Sequence, residues 1–251
     1  ISTTPLEDAR RRDITINSLF YNLNTKKIED FTGKGISDLT DGIIRTPMPA
    51  LQTFIDDPLR VLRVIRFASR FNYTIDSEIV IAVRDERIKT SFQNKVSRER
   101  VGAEIVKMMD ECDDLVRVVV LMKKFDFYDM IFEPSDDVIC ATKNCMYLIK
   151  TYQFTDKEKR ILRLASLCRR ESKRVMTQSL RLHDDVSGIM KYSDEIININ
   201  VNDLLVRKMG KKWKLCVFVA ALTTTNVLNL IQPFGSLLLK QPLIPASRLN
   251  F

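Results

Sequence analysis

Asp57 and Arg60 stand three residues apart around Pro58, and Arg63, Arg66 and Arg70 follow at steps of three and four. At about 100° per residue the four arginines share one stripe of a helix, and the Asp57 carboxylate lies beside Arg60 at its entrance. A carboxylate accepts hydrogen bonds and a guanidinium donates them in a fork, so the segment concentrates both kinds of recognition chemistry. Upstream, Arg11-Arg12-Asp13 repeats the combination, forked donors next to an acceptor suited to hydroxyl groups. Both patterns also describe ordinary structure: an amphipathic helix with a solvated basic face and one ion pair, and surface charge ahead of a strand.

Such side chains need elements to hold them. Residues 14–24 alternate as a strand would, Lys27–Phe31 suits an antiparallel partner, and Asn24 and Thr25 can turn between them. Gly33 and Gly35 break the second strand. Asp38-Leu39 and then Asp41-Gly42-Ile43-Ile44-Arg45-Thr46-Pro47 read as a turn-and-strand connection. From Thr53 the pattern turns helical. Asp57 and Pro58 make a helix start, with Val61, Val64, Ile65, Ala68 and Phe71 opposite the arginines and fit for burial. Asp76 caps a helix to about Val83, Ser97 caps Arg98–Met109, and Asp113 starts a third that ends near Phe125. Thr155 or Asp156 opens a helix with Ile161, Leu162, Ala165 and Leu167 on its apolar side. Further helices fit 175–182, 184–196, 201–209 and 212–222. The fold class is α+β: a small antiparallel β piece over 1–50, a helical stretch over 51–130 and a helical remainder over 131–251.

The bulk properties narrow the partners. Forty Lys+Arg against 32 Asp+Glu and a pI near 9.3 favour a polyanion. Five cysteines without a CxxC pair, and His183 as the lone histidine, point away from a disulfide framework and from a zinc site. The apolar run Leu215–Leu222 is too short to span a bilayer, so no membrane partner is expected. The basic run from Arg207 to Lys214 suits either phosphate contacts or a solvated helix junction. Oligomeric state is not legible.

Taken in order, the Arg11-Arg12-Asp13 segment, the Gly-containing turn, Asp41–Pro47 and the Asp56-Asp57-Pro58-Leu59-Arg60 helix resemble the class II tRNA nucleotidyltransferases, which add CCA to tRNA 3′ ends, and especially their eukaryotic members. The resemblance is dense to about residue 110. It implies that 1–50 is the end of a nucleotidyltransferase head, 51–130 a nucleotide-selecting neck, and 131–251 a tRNA-binding body and tail. It also implies CTP and ATP as substrates, the tRNA acceptor end as partner, Mg²⁺ as cofactor, and a place inside the cell, in the mitochondrion, cytosol or nucleus.

By the same resemblance Arg12 and Asp13 contact the nucleotide near its ribose, and Asp57 and Arg60 act as an amino-acid template for the base. Cytosine and adenine both present an exocyclic amine beside a ring-nitrogen acceptor, which a carboxylate and an arginine match; guanine and uracil reverse that order. Each unmatched buried polar group costs roughly 1–3 kcal/mol. Two mismatches give discrimination on the order of a hundredfold or more. Arg63 and Arg66 match positions that contact the nucleotide or support the template, with Arg11, Asp56, Glu99 and Arg100 in supporting places. The segment from Asp30 to Arg45 resembles a connecting motif tied to the switch from CTP to ATP. Near the end, Ile244 to Asn250 only faintly resembles a family turn.

In this family the carboxylates that hold two metal ions form an Asp-x-Asp motif after Gly-Gly-x-x-Arg-Asp, and neither pattern occurs in these 251 residues. The sequence begins at Ile1 and is expected to be a piece that selects the nucleotide and docks tRNA without catalysing transfer alone. A poly(A) polymerase of the same superfamily and a non-catalytic RNA-binding protein are the other two readings.

Overall fold

The structure, a computed structural model, describes residues 4–132, 134–168 and 213–222. The expected helices at 175–182, 184–196 and 201–209, His183, the basic run from Arg207 and the turn around Ile244 and Asn250 lie outside the described residues.

The chain divides into two compact units. The first comprises the residues up to Asp113 together with Leu121–Phe127, and the second comprises Asp114–Val120 and the residues from Tyr128 onward. The first opens with α1 (Pro5–Arg10), fixed by Pro5 in its first turn and by a capping box in which the Thr4 hydroxyl and Glu7 carboxylate each accept a backbone N–H. A 3₁₀ turn over Ile16–Ser18 leads into β1 (Leu19–Asn22), paired antiparallel with β2 (Lys27–Asp30) in the register Leu19↔Asp30 to Asn22↔Lys27. The hairpin is thus where the alternation placed it, but shorter. Residues 14–18 do not pair because Ser18 donates its hydroxyl to the carbonyls of Ala9 and Ile14, which curls this stretch.

The region read as a turn-and-strand connection is α2 (Gly35–Asp41) followed by β3 (Ile43–Ile44). Asp30 explains the helix. Its carboxylate accepts from the Thr32 N–H and hydroxyl, from the Gly33 N–H and from the Ile36 N–H, and the Thr32 hydroxyl accepts from Gly35, so free donors at the helix start are satisfied from outside it. Gly42 ends α2 at φ 68°, the left-handed conformation a glycine adopts without strain.

Helix α3 (Ala50–Asp56) stops at Asp57, and α4 (Arg60–Phe71) begins after a turn in which the Asp57 carboxylate accepts the Leu59 N–H at 3.3 Å. On α4, Val61, Val64, Ile65 and Ala68 are fully buried, as their phase requires. Phe71, expected inside, is 40% exposed, lying at the last position of the helix before Asn72 turns left-handed. β4 (Thr74–Ile75) then pairs in parallel with β3. α5 (Ser77–Ala82) and α6 (Glu86–Lys95) are N-capped by Asp76 and Asp85, and α7 (Arg98–Glu111) by Ser97. α8 (Leu115–Lys124) carries the boundary between the units.

In the second unit α9 (Tyr128–Ile131), α10 (Val138–Thr151), α11 (Asp156–Leu167) and α12 (Trp213–Ala221) bury an apolar core around Leu148, Leu162 and Val217. Thr155 and Glu158 close a capping box on α11, and Ile161, Leu162, Ala165 and Leu167 are all buried. Among the described residues no helix is long and apolar enough to cross a membrane. The architecture is α+β, small sheets followed by helices.

Candidate functional site

Three segments of the first unit converge on a cleft of about 640 Å³. The stretch after α1 supplies Arg11, Arg12, Asp13 and Asn17. The α3–α4 junction supplies Asp57, Leu59, Arg60 and Arg63. Helix α7 supplies Arg100, Ala103, Glu104 and Lys107. Six of these side chains are cationic and three are carboxylates, so the cleft favours an anionic ligand while keeping acceptors on its walls.

The arginines and carboxylates of the cleft each have a protein partner that fixes their direction. Asp13, almost fully buried, accepts from Arg63 Nε at 2.7 Å and from Asn17 Nδ2 at 3.1 Å. Asp57 accepts from Arg100 Nη2 at 2.7 Å. Arg60 donates to the backbone carbonyls of Thr53, at 3.5 Å, and of Arg11. Asp57, in the turn ahead of α4, and Arg60, the first residue of α4, both line the cleft, and each is held by a different group. Arg12 donates to the Asn17 carbonyl at 3.1 Å, and its guanidinium carbon lies 5.0 Å from the Phe20 ring centre, within cation–π range.

Of the residues singled out from the sequence, Arg11, Arg12, Asp13, Asp57, Arg60, Arg63 and Arg100 line the cleft, and Arg66, Asp56 and Glu99 do not. Arg66 is the clearest correction to the idea of one exposed arginine stripe. It is 4% exposed and donates from Nε to Glu104 at 2.5 Å and from Nη1 to Glu111 at 2.7 Å. The reason is that α7 packs along α4 and brings both carboxylates to that side. Burial pulls the Arg66 pKa down, but the Glu104 hydrogen bond and the charges of Glu104 and Glu111 outweigh it and leave the guanidinium above its ordinary value. Asp56 instead accepts from Gln52 at 2.7 Å on the exposed side of α3. Glu99 is exposed in the first turn of α7.

Two residues were given no place from the sequence: Asp8, which holds Arg11 and Arg12, and Asn17, which lines the cleft. Glu104 and Lys107, which the resemblance puts with Glu99 and Arg100 in a helical motif bracing the pocket, line the cleft too. Helical spacing carries the signal for Asp8, Glu104 and Lys107. Asp8 precedes Arg11 and Arg12 by three and four residues, and Glu104 and Lys107 follow Arg100 by four and seven, on one face of α7. Among the described residues no group of three His, Cys, Asp or Glu side chains converges to hold a metal ion. The lining of the cleft suits hydrogen-bonded recognition of an anion.

Comparison with known proteins shows what the chain that builds this geometry is similar to. Residues 1–45 match the poly A polymerase head domain. The mitochondrial CCA tRNA nucleotidyltransferase of Saccharomyces cerevisiae is 59% identical over 106 residues, which are 42% of this chain and 19% of that protein. The tRNA nucleotidyltransferase cca1 of Schizosaccharomyces pombe is 46% identical over 133 residues, 53% of this chain and 26% of its own. The matched stretch thus spans about a fifth to a quarter of these relatives. Among solved structures, a tRNA-processing enzyme with CTP superposes with a TM-score of 0.70 at 21% identity, covering 96% of this chain and 70% of its own. The Thermotoga maritima CCA-adding enzyme complexed with tRNA gives 0.67 at 21% identity, over 93% and 60%. The arginine–aspartate segment, the Asp57–Arg60 junction and the α7 wall meet in one cleft, and the chain carrying them is similar to CCA tRNA nucleotidyltransferases over 106 to 133 of its residues.

Proposed function

We propose that this chain selects CTP and ATP, without a nucleic-acid template, for the addition of CCA to the 3′ end of tRNA. The observation that carries the reading is the α3–α4 junction, which sets an acceptor, Asp57, and a donor, Arg60, next to each other on the wall of a strongly cationic cleft. The exocyclic amine of cytosine or adenine meets the Asp57 carboxylate, and Arg60 meets the adjacent ring nitrogen. Guanine and uracil put a carbonyl against the carboxylate and an N–H against the arginine. The Asp57 contact with Arg100 and the Arg60 contacts with backbone carbonyls restrict both side chains, which limits the entropy lost when a base arrives. Arg63, oriented by Asp13, and Arg11 and Arg12 face the sugar and phosphates.

The partner is the acceptor end of tRNA, and the yeast relatives named mitochondrial support a mitochondrial location. Mg²⁺ is the metal that the resemblance implies, and the part given to this chain in the reading is selection of the nucleotide. Repeated AMP addition that ignores CTP is the second reading, which the head-domain match also accommodates.

The test is equilibrium binding of CTP, ATP, GTP and UTP to the 251-residue chain and to Asp57→Ala and Arg60→Ala. The expected result is preference for CTP and ATP on the order of a hundredfold, two mismatched polar groups' worth, lost in both variants. Equal binding of all four by the unsubstituted chain refutes the reading. Incorporation of CMP or AMP into tRNA by this chain alone, with Mg²⁺, overturns its restriction to selection.

A further inference from the structure

The two arginines ahead of Asp13 are not free side chains on a wall. Each is gripped by the same carboxylate. Arg11 donates from Nε and Nη2 to Asp8 Oδ1, at 3.2 and 2.9 Å, and Arg12 donates from Nε and Nη2 to Asp8 Oδ2, at 3.2 and 2.7 Å. One carboxylate therefore fills two guanidinium forks with its two oxygens. Asp8 sits in the last turn of α1, a helix of 6 residues held by its capping box and by the burial of Ala9, whose carbonyl accepts the Ser18 hydroxyl. The clamp is thus tied to the scaffold, while the arginines it holds lie beyond the helix end.

We propose that Asp8 is a positioning residue for nucleotide binding: it holds Arg11 and Arg12 as a fixed pair of donors toward the sugar and phosphates of the ligand. The proposal rests on the reading of the cleft as a nucleotide site. A guanidinium carries five N–H donors, and the fork given to Asp8 uses two, so each arginine keeps donors for the ligand. Arg12 is also held by the Asn17 carbonyl and the Phe20 ring, whereas the side chain of Arg11 is 61% exposed and Asp8 is the partner that directs it. Long arginine side chains lose much rotamer freedom when a ligand orders them, and a clamp removes part of that loss in advance. The hydrogen bonds from Arg12 and then Arg11 hold the Asp8 carboxyl below the usual aspartate range, so it stays ionised wherever nucleotides are bound.

The experiment measures binding of CTP, ATP, GTP, UTP and inorganic tripolyphosphate to the full chain, to Asp8→Asn, Asp8→Glu and Arg11→Ala, and to the Asp8→Asn/Arg11→Ala double variant. Asp8→Asn weakens all five ligands by about the same factor, on the order of tenfold, the cost of ordering one or two long side chains. The ratio between CTP and GTP stays as it was, because the base is read elsewhere. Asp8→Glu keeps the charge and recovers most of the affinity. The double variant binds no more than about twofold more weakly than Asp8→Asn, because the two substitutions disable one device.

Unchanged affinity in Asp8→Asn overturns the proposal, and so does tighter binding, which would make Asp8 a competitor of the phosphates for the same forks. A loss confined to one base also overturns it. Should Asp8→Asn fail to fold, Asp8→Glu and Arg11→Ala decide: recovery in the first and a base-independent loss in the second are required. Equal binding of all four nucleotides with the Asp8 dependence intact refutes the base-reading function alone. No binding of any nucleotide or of tripolyphosphate refutes both.

Discussion

Replacing Arg66 by methionine tests whether the α4–α7 contact is an ionic core or a tolerated accident. The methionine occupies a similar volume but leaves the Glu104 carboxylate, 3% exposed, without its 2.5 Å donor. It also removes the guanidinium 4.0 Å from the Phe67 ring centre. Glu111 suffers less, because it keeps Arg70 at 2.9 Å and its side chain is 29% exposed. Breaking a buried pair from one side costs about 3–5 kcal/mol. Against a typical domain stability of about 5–15 kcal/mol the unit should stay folded but open far more often. Hydrogen exchange read on peptides from α4 and α7 isolates this loss from the second unit, which a global unfolding curve would mix in. The Arg66→Met/Glu104→Leu double variant should regain most of the stability, because removing both charges removes the desolvated carboxylate. A loss below about 0.5 kcal/mol, within the range of ordinary surface substitutions, would refute the reasoning. So would a double variant as unstable as the single one.

Two further outcomes follow from the hairpin and its neighbours. Gly35→Ala places a Cβ 2.8 Å from the Thr15 carbonyl oxygen and 2.8 Å from Leu19 Cδ2. Because the first of these is backbone, the variant should lose about 1–3 kcal/mol, seen as a lower thermal midpoint; an unchanged midpoint would show that α2 shifts freely. Asp30 is pushed up by burial but held below its ordinary 3.8 by the Thr32 hydroxyl and the N–H groups of Ile36, Thr32 and Gly33. A depressed folded pKa means stability that is full above pH 3.8 and lost as the pH falls through the lower folded value. Asp30→Asn should therefore be less stable than the unsubstituted chain at neutral pH and converge with it below pH 3.8, and a gap constant down to the most acidic pH would contradict this.

What the sequence disclosed and what it hid divide along one physical line. Where an element's own residues decide its structure, the reading was close. The apolar phase of α4, the serine cap of α7 and the threonine–glutamate box of α11 all act within one or two turns. Where a partner from far along the chain decides, it failed. Helix α3 starts at Ala50 rather than Thr53, and the Ala50 N–H is taken by Glu78, 28 residues on. Helix α2 hides among Gly, Ser, Thr and Asp, residues that propensity assigns to turns. Asp30 and Thr32 complete its first turn, and Asp38 is anchored by the Thr15 hydroxyl at 2.7 Å. Arg66 shares a stripe and a residue type with Arg60 and Arg63, and only the arrival of Glu104 and Glu111 on α7 separates a core arginine from two cleft arginines. The same line runs through the site. A motif can set Asp57 three residues before Arg60, at the turn between α3 and α4, but it cannot show that Arg100, 43 residues away, holds one, or that the Arg11 carbonyl, 49 residues away, holds the other. Recognition residues are thus legible as types and spacings, while the contacts that aim them are properties of the packed unit. This is why Asp8→Asn tests how the cleft aims its arginines and Arg66→Met tests the packing behind it, neither of which removal of the recognition pair would reveal.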